Sequence, residues 1–113
     1  MFGLSVRWSL RDADPAVAHV LRDYVREESL ARFTGMPGLS FKTWRMVPGE
    51  WFEGTYVWDT ARDRDQFLVT FQASADTAPG TVMIGSEPVL YEMFEVVAVA
   101  EGDAGFAPGP GPG

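Results

Sequence analysis

Two alternating runs of residues on either side of one turn constrain the fold of this chain more than any other feature. The runs are LSFKTWRMV at 39–47 and EWFEGTYVW at 50–58, and Pro48 and Gly49 lie between them. Alternation of apolar and polar residues is typical of β-strands, and a Pro-Gly pair favours a tight turn. The sequence therefore predicts a β-hairpin that is rich in aromatic residues.

The pairing of this hairpin determines which side chains share a face. If Pro48 and Gly49 are the two loop residues, Val47 pairs with Glu50, and the pairs continue outward to Leu39 with Trp58. One face then carries Arg45, Phe52, Thr43, Gly54, Phe41, Tyr56 and Trp58, and the other carries Met46, Trp51, Trp44, Glu53 and Lys42. Both faces hold large aromatic side chains, each of which buries about 150–250 Å².

An antiparallel sheet that is open to water on one side is polar on that side, and this hairpin is polar on neither. We therefore expect helices to cover one face and a second copy of the chain to cover the other, as a homodimer. Lys42 and Trp44 would then face the partner copy, where Glu53 can neutralise the ammonium group.

The rest of the chain supplies two helices and two further strands. The segments 2–10 and 89–100 have strand composition. Asp14 and Pro15 are expected to begin a helix that runs to about Phe33, and Asp59 or Thr60 is expected to cap a second helix that begins at 61. The order β-α-β-β-α-β predicts an α+β, ferredoxin-like fold: a four-stranded antiparallel sheet with two helices on one face.

The length of 113 residues is that of a single domain. We expect this domain to span residues 1–101, with a loop at 74–88. The tail at 102–113, GDAGFAPGPGPG, consists almost entirely of residues that break helices and strands, so it is expected to be flexible.

Composition excludes several classes of function. The chain has no cysteine and one histidine, His19, so disulfides, thiolate nucleophiles and sulfur-ligated or two-imidazole metal sites are excluded. A net charge of −7 disfavours nucleic acid as a partner. We expect a cytoplasmic protein with no membrane partner, since no apolar run or signal-peptide pattern is present. No glycine-rich nucleotide motif is present, and we expect no cofactor.

Several segments together resemble the YdhR-like monooxygenases of the dimeric α/β-barrel (ABM-like) superfamily. They are MPGLSFKTW, EGTYVWDT, a helix with Phe67 and Phe71, and a last strand ending in FEVV, over about residues 2–98. The resemblance implies a homodimer with a cavity between each sheet and its helices. It also implies an oxygenase activity.

Four residues are candidate catalytic groups. Trp58 resembles the tryptophan that borders the substrate in cofactor-free monooxygenases acting on anthrone-like polyketides; alternatively, it is a core aromatic at a strand end. Tyr56 could hydrogen-bond a substrate phenol or the backbone, and Arg45 could hold a phenolate or reach solvent. Glu28 shares a helical stripe with apolar residues, where burial would raise its pKa and suit a general base, or it bends out to water.

Further residues are expected to bind the substrate in the cavity. Gly54 stands where the similar monooxygenases carry an asparagine, so it leaves room but removes a polar group. The remaining predicted substrate-binding residues are Trp8, Tyr24, Phe41, Phe52, Phe67 and Phe71. His19 is expected on the solvent side of its helix and is not a candidate.

Three functions are consistent with these residues. The first is a small dimeric enzyme that acts on a hydrophobic aromatic or polyketide-like substrate as a cofactor-independent monooxygenase. The second is a polyketide cyclase or isomerase that uses the same pocket without oxygen. The third is a non-catalytic protein that binds small aromatic molecules.

Overall fold

The computed structural model describes residues 1–111, and it contains one four-stranded antiparallel sheet. The strands are β1 (Phe2–Ser9), β2 (Leu39–Val47), β3 (Trp51–Trp58) and β4 (Leu90–Glu95), in the spatial order β2-β3-β1-β4. This confirms the predicted ferredoxin-like sheet. The last two residues of the predicted tail, 112–113, lie outside the described residues.

The helices lie against one face of the sheet. The first helical arm consists of α1 (Val17–Tyr24), a π-helical segment (Val25–Ser29) and α2 (Leu30–Phe33). The second is α3 (Ala61–Ala73), where the Thr60 hydroxyl accepts a hydrogen bond from the Asp63 amide, as expected of a helix cap. The first arm starts later than predicted: Asp14 accepts a hydrogen bond from the amide of Ala16 in the preceding turn.

The segment predicted to be a loop at 74–88 contains more helix than expected. It forms a 3₁₀ turn (Ala75–Thr77) and α4 (Pro79–Ile84), which ends at Gly85 with φ of +90°. Pro79 at the start and Gly85 at the end are common helix boundaries. Because α4 is short, its sequence shows too little periodicity to be recognised as a helix.

The hairpin pairs one residue out of the predicted register. Val47 pairs with Trp51 rather than Glu50, so the loop has three residues, Pro48 to Glu50. The two-residue loops that suit a hairpin require positive φ at their first position, and proline fixes φ near about −65°. The chain instead forms a turn in which Gly49 has φ of +78° and the amide of Glu50 donates to the carbonyl of Val47.

This shift leaves β3 as predicted and reverses the faces of β2. We name the two sides of the sheet by their neighbours. The helix face carries Leu4, Val6, Trp8, Lys42, Trp44, Met46, Phe52, Gly54, Tyr56 and Trp58, and the open face carries Ser5, Arg7, Phe41, Thr43, Arg45, Trp51, Glu53, Thr55 and Phe94. The predictions that Lys42 and Trp44 face away from the helices, and that Phe41 and Arg45 face them, are therefore wrong.

The core fills the space between the helix face and the helices. Its buried members are Leu4, Val6, Trp8, Leu10, Val17, Leu21, Phe33, Phe52, Tyr56, Trp58 and Ile84. Among the described residues, no helix has the length and apolar character needed to span a membrane.

Candidate functional site

A cavity of about 220 Å³ lies within this helix-covered layer. Seven of the predicted site residues line it: Trp8, Tyr24, Phe52, Gly54, Tyr56, Phe67 and Phe71. Further walls come from Ser29, Arg32 and Phe33 of the first arm, from Lys42 and Trp44 of β2, and from residues 70–80. The cavity thus lies between β1, β2 and β3 on one side and the helices on the other.

Aromatic rings form most of the wall, and Phe33 is at their centre. Its ring contacts those of Trp44, Tyr56 and Phe67 edge-on, with centroid distances of 5.6–6.4 Å. Phe67 continues the cluster to Phe71 at 6.1 Å. Edge-to-face pairs at these distances are favourable and fix the ring orientations. The cavity is therefore a largely apolar space suited to another aromatic ring.

Lys42 lies on this wall inside a cage of rings. Its Nζ is 3.6 Å from the ring centroid of Phe33, 4.3 Å from that of Tyr56 and 4.5 Å from that of Trp44. Among residues 1–111, no carboxylate forms an ion pair with this amine and no acceptor hydrogen-bonds it. A lysine amine at the wall of an apolar cavity, with no anionic partner, is unusual in a protein interior.

The environment of Lys42 makes its protonated form less stable than that of an exposed lysine. Ring faces attract the ammonium form by about 0.5–2 kcal/mol each, but loss of hydration costs a buried ion several kcal/mol and no carboxylate offsets it. Burial, reinforced by the guanidinium of Arg32, therefore holds the pKa of Lys42 well below its usual value. The amine retains its lone pair closer to neutral pH than an ordinary lysine does.

Tyr56 is the second polar group of the cavity. Its side chain is buried, and burial raises the pKa of Tyr56, so the phenol stays protonated and can donate a hydrogen bond. A Cβ placed on Gly54 would lie 3.1 Å from the Tyr56 hydroxyl. Gly54 was predicted to leave room for substrate, but the tyrosine occupies much of that room.

The π-helical segment changes which residue of the first arm points inward. The amide of Leu30 donates to the carbonyl of Val25, five residues back, so the helix turns less per residue here. Ser29 is buried as a result and accepts a hydrogen bond of 3.1 Å from the Trp44 indole, whereas Glu28 is exposed. The exposed Glu28 matches the alternative in which this side chain bends out to water, and the π-helical segment explains why the α-helical stripe does not continue to it.

The far wall is fixed by Trp8. Its indole donates to the hydroxyl of Thr81 at 3.1 Å, and its ring packs on Phe52 and Phe71 with centroid distances of 5.8 and 6.0 Å. A Cβ on Gly80 would lie 3.0 Å from the Trp8 ring, so a larger residue at this position would push against the ring. The helix missing from the sequence prediction therefore closes one end of the cavity.

Trp58 lies in the core beside the cavity rather than on its wall. It is 5% exposed and packs on Phe67 with a centroid distance of 5.3 Å, but it is absent from the cavity lining. Its buried indole nitrogen has no hydrogen-bond partner within residues 1–111. This placement matches the alternative of a core aromatic at a strand end.

Arg45 and Phe41 lie on the open face, away from the cavity. Arg45 and Arg7 bind the two carboxylate oxygens of Glu53, which also accepts a hydrogen bond of 3.0 Å from the hydroxyl of Thr55. The Arg7 and Arg45 guanidinium groups lie 4.1 and 5.4 Å from the Trp51 ring centroid. Hydrogen bonds from both arginines outweigh burial and keep the pKa of Glu53 below its usual value.

The cavity opens toward the edge of the sheet. A larger groove of about 750 Å³ between the first helical arm and β2 shares Phe33, Lys42, Trp44 and Phe52 with it. Residues 106–111 of the tail line the outer side of this groove. Lys42 therefore borders both the cavity and the groove. Among the described residues, no cluster of His, Asp and Glu is placed to hold a metal.

Sequence reasoning missed four residues that define the site: Ser29, Phe33, Lys42 and Trp44. Lys42 and Trp44 were missed because the predicted register was one residue out. Pro48 is the signal that could have given the right register, because its fixed φ excludes the two-residue hairpin turns. For Phe33, the sequence predicts only that the first helix ends there. Nothing in the sequence marks the π-helical segment that buries Ser29.

Comparison with known proteins supports the fold. No known family model matches the sequence, and no curated protein matches it. A crystal structure of a protein of unknown function from Nitrosomonas europaea is similar, with a TM-score of 0.65 and 20% identity over 88% of this chain and 91% of that chain. A second crystal structure is described as that of a putative antibiotic biosynthesis monooxygenase from Chloroflexus aurantiacus J-10-fl. It has a TM-score of 0.54 and 19% identity over 88% of this chain and 95% of that chain. The chain therefore shares the α+β, ferredoxin-like fold of these two proteins.

Proposed function

We propose that this chain is an enzyme that oxidises a small, electron-rich aromatic substrate with molecular oxygen and without a cofactor, as a YdhR-like cytoplasmic monooxygenase. The observation that carries the proposal is an amine, Lys42, whose Nζ lies 4.3 Å from the ring centroid of a buried phenol, Tyr56, in a cavity walled by aromatic rings. The fold, which is shared with a protein described as a putative antibiotic biosynthesis monooxygenase, is consistent with it.

The size of the cavity narrows the substrate class. An apolar cavity of about 150 Å³ binds benzene, so a cavity of about 220 Å³ suits one or two aromatic rings. A three-ring anthrone would leave part of its surface in the adjoining groove. We therefore favour a phenol or naphthol over a larger polyketide product.

Lys42 acts as the general base in this proposal, a role for which the sequence suggested Glu28. A base works best when its pKa lies near the operating pH, and the lowered pKa of Lys42 brings the amine toward that range. The amine removes the phenol proton of the substrate, and Tyr56 donates a hydrogen bond to the developing phenolate. The dry aromatic wall strengthens both interactions because little water competes.

The substrate supplies all the electrons in this scheme. The phenolate carbon para to the oxygen is electron-rich and reacts with oxygen; one oxygen atom becomes the second carbonyl of a quinone. The other leaves as water, together with the phenolic hydrogen and the hydrogen lost from that carbon. A phenol and one molecule of oxygen thus give one quinone and one water, and no external reductant is required.

Oxygen uptake with 1-naphthol tests the proposal. We expect the protein to accelerate formation of 1,4-naphthoquinone in air, and Lys42→Met to abolish the acceleration. Arg62→Met is the matched control, because it removes a positive charge from an exposed position of α3 outside the cavity. Uptake no faster than the uncatalysed rate with phenol, 1-naphthol and anthrone would reject the oxygenase, and turnover of these substrates under argon would indicate the isomerase alternative.

A further inference from the structure

Lys42 is the only lysine of the chain, and its surroundings suit a nucleophile as well as a base. An amine becomes nucleophilic near neutral pH when it is desolvated or lies beside another cation, and Lys42 has both conditions. The Phe33, Trp44 and Tyr56 rings lie within 3.6–4.5 Å of its Nζ, and Arg32 lines the same cavity. No anionic group among the described residues competes for the amine.

We propose that Lys42 forms a covalent imine with a small aromatic aldehyde or ketone that enters the cavity. The inference rests on the same site as the proposed function but not on its oxygen chemistry. It extends the substrate class from phenols to aromatic carbonyl compounds, because the aromatic wall orients the ring and the lone pair of Lys42 meets the carbonyl carbon.

The reaction balances without a further reagent. The nitrogen lone pair attacks the carbonyl carbon, a C–N bond forms, and the carbonyl π electrons move to oxygen. One amine proton moves to that oxygen to give a carbinolamine. Loss of the hydroxyl group with the second amine proton releases one water and leaves the C=N bond. No group is oxidised or reduced.

Tyr56 is placed to assist the departure of that hydroxyl. Its phenol remains protonated through the neutral range, since burial raises the pKa, and its ring lies beside the amine. A proton donor at the leaving oxygen converts hydroxide into water, which is a far better leaving group. The released water leaves through the groove that shares Lys42 with the cavity.

Reductive trapping tests the inference directly, because Lys42 is the only lysine of the chain and the one other primary amine is the α-amino group at the N-terminus. The full chain is incubated with benzaldehyde and sodium cyanoborohydride at about pH 7 under argon. The modified amines are then located by tryptic digestion and mass spectrometry. Reduction fixes the imine as a benzyl group on nitrogen and blocks cleavage after Lys42. The exposed α-amine provides an internal rate standard in every sample.

We expect Lys42 in the folded protein to be benzylated at least about tenfold faster than the side chain of Nα-acetyl-lysine, which corresponds to one pKa unit or more. Unfolding in urea should return Lys42 to the rate of acetyl-lysine. In Lys42→Arg, the modification at this position should disappear while that of the α-amine continues unchanged. Arg62→Met should leave both rates as in the natural chain.

Trapping at the rate of acetyl-lysine, or a rate that rises on unfolding, would overturn the inference. The readout needs no oxygen, so it separates the two proposals. Rapid trapping without oxygen uptake would support the imine and reject the oxygenase. Oxygen uptake without rapid trapping would support the oxygenase and leave Lys42 as a base only.

Discussion

Lys42 connects proton binding to stability at the scale of a single residue. Its pKa is lowered mainly by burial, so the unfolded chain binds the proton more tightly than the folded chain. The buried amine therefore lowers the free energy of unfolding. This loss is fully present below the folded-state pKa and disappears as the pH rises through the ordinary lysine pKa of about 10.4. Each unit by which the pKa is lowered contributes about 1.4 kcal/mol to that loss.

Lys42→Met keeps the unbranched apolar stem and removes the titrating group. We expect urea denaturation to show that the variant is more stable than the natural chain at about pH 6 and that this advantage shrinks at about pH 10. Lys42→Arg is the control, since arginine stays charged and should destabilise at both pH values. An advantage of Lys42→Met that is equal at both would show that Lys42 titrates normally.

At the scale of the element, the first helical arm depends on the contact made by its π-helical segment. Ser29→Ala leaves the Trp44 indole without its acceptor, and a buried donor without a partner costs about 1–3 kcal/mol. We expect this loss in urea denaturation, with Ser40→Ala, an exposed serine of β2, as the neutral control. Equal stability of the two variants would mean that the indole finds another partner.

The hairpin depends on the row of Arg7, Glu53 and Arg45 across its open face. Glu53→Gln keeps the shape but removes the charge, so we expect a loss of about 1–3 kcal/mol near neutral pH. Because the folded-state pKa of Glu53 is lowered, the contribution of the carboxylate is present above the ordinary glutamate pKa and is lost as the pH falls through the folded-state value. The variant and the natural chain should therefore converge in acid.

A constant difference between Glu53→Gln and the natural chain from neutral to acid pH would contradict that reading. Glu50→Gln is a matched control, because Glu50 lies in the exposed hairpin loop and pairs only loosely with Arg11, at 3.6 Å. Its effect should stay within about 0.5 kcal/mol at every pH.

The strands and long helices follow from local patterns, whereas the site depends on details that local patterns do not carry. Alternation predicted β1 and β3, and the inward-facing set of Phe52, Tyr56 and Trp58 is confirmed. A shift of one residue in pairing moves every side chain of β2 to the other face. The length of the loop at Pro48–Glu50 therefore determines that Lys42 lies on the helix face. The π-helical segment had the same effect on Glu28 and Ser29.

At the scale of the whole molecule, the order of elements was enough to predict the sheet and its single layer of helices. The cavity was expected from resemblance, but its volume depends on how Trp8, Phe33 and Phe67 pack, and on α4, which closes one end. Such packing is a sum over many side chains and cannot be obtained from strand and helix periods alone.

We still predict a homodimer that forms through the open face. The residues expected at this contact differ from those that the sequence indicated, because Lys42 and Trp44 lie on the helix face. Half-buried Phe41 and Phe94 lie at one end of this face and Trp51 at the other. Exposed charges of opposite sign occupy its two edges, Arg45 on β2 and Glu92 on β4. A two-fold axis parallel to the strands would bring β2 of one copy over β4 of the other. Arg45 of each copy would then lie near Glu92 of the other copy.

Thr43→Glu tests this dimer, because Thr43 is exposed on β2 and lies in the same row of the sheet as Glu92 on β4. We expect the natural chain to sediment as a dimer at micromolar concentration. Thr43→Glu should sediment as a folded monomer, since the same axis would place each added carboxylate opposite Glu92 of the other copy. Gln72→Glu places the same charge on the exposed side of α3 and should leave the dimer intact. A natural chain that sediments as a monomer, or a Thr43→Glu variant that remains dimeric, would mean that the open face is not the contact between copies.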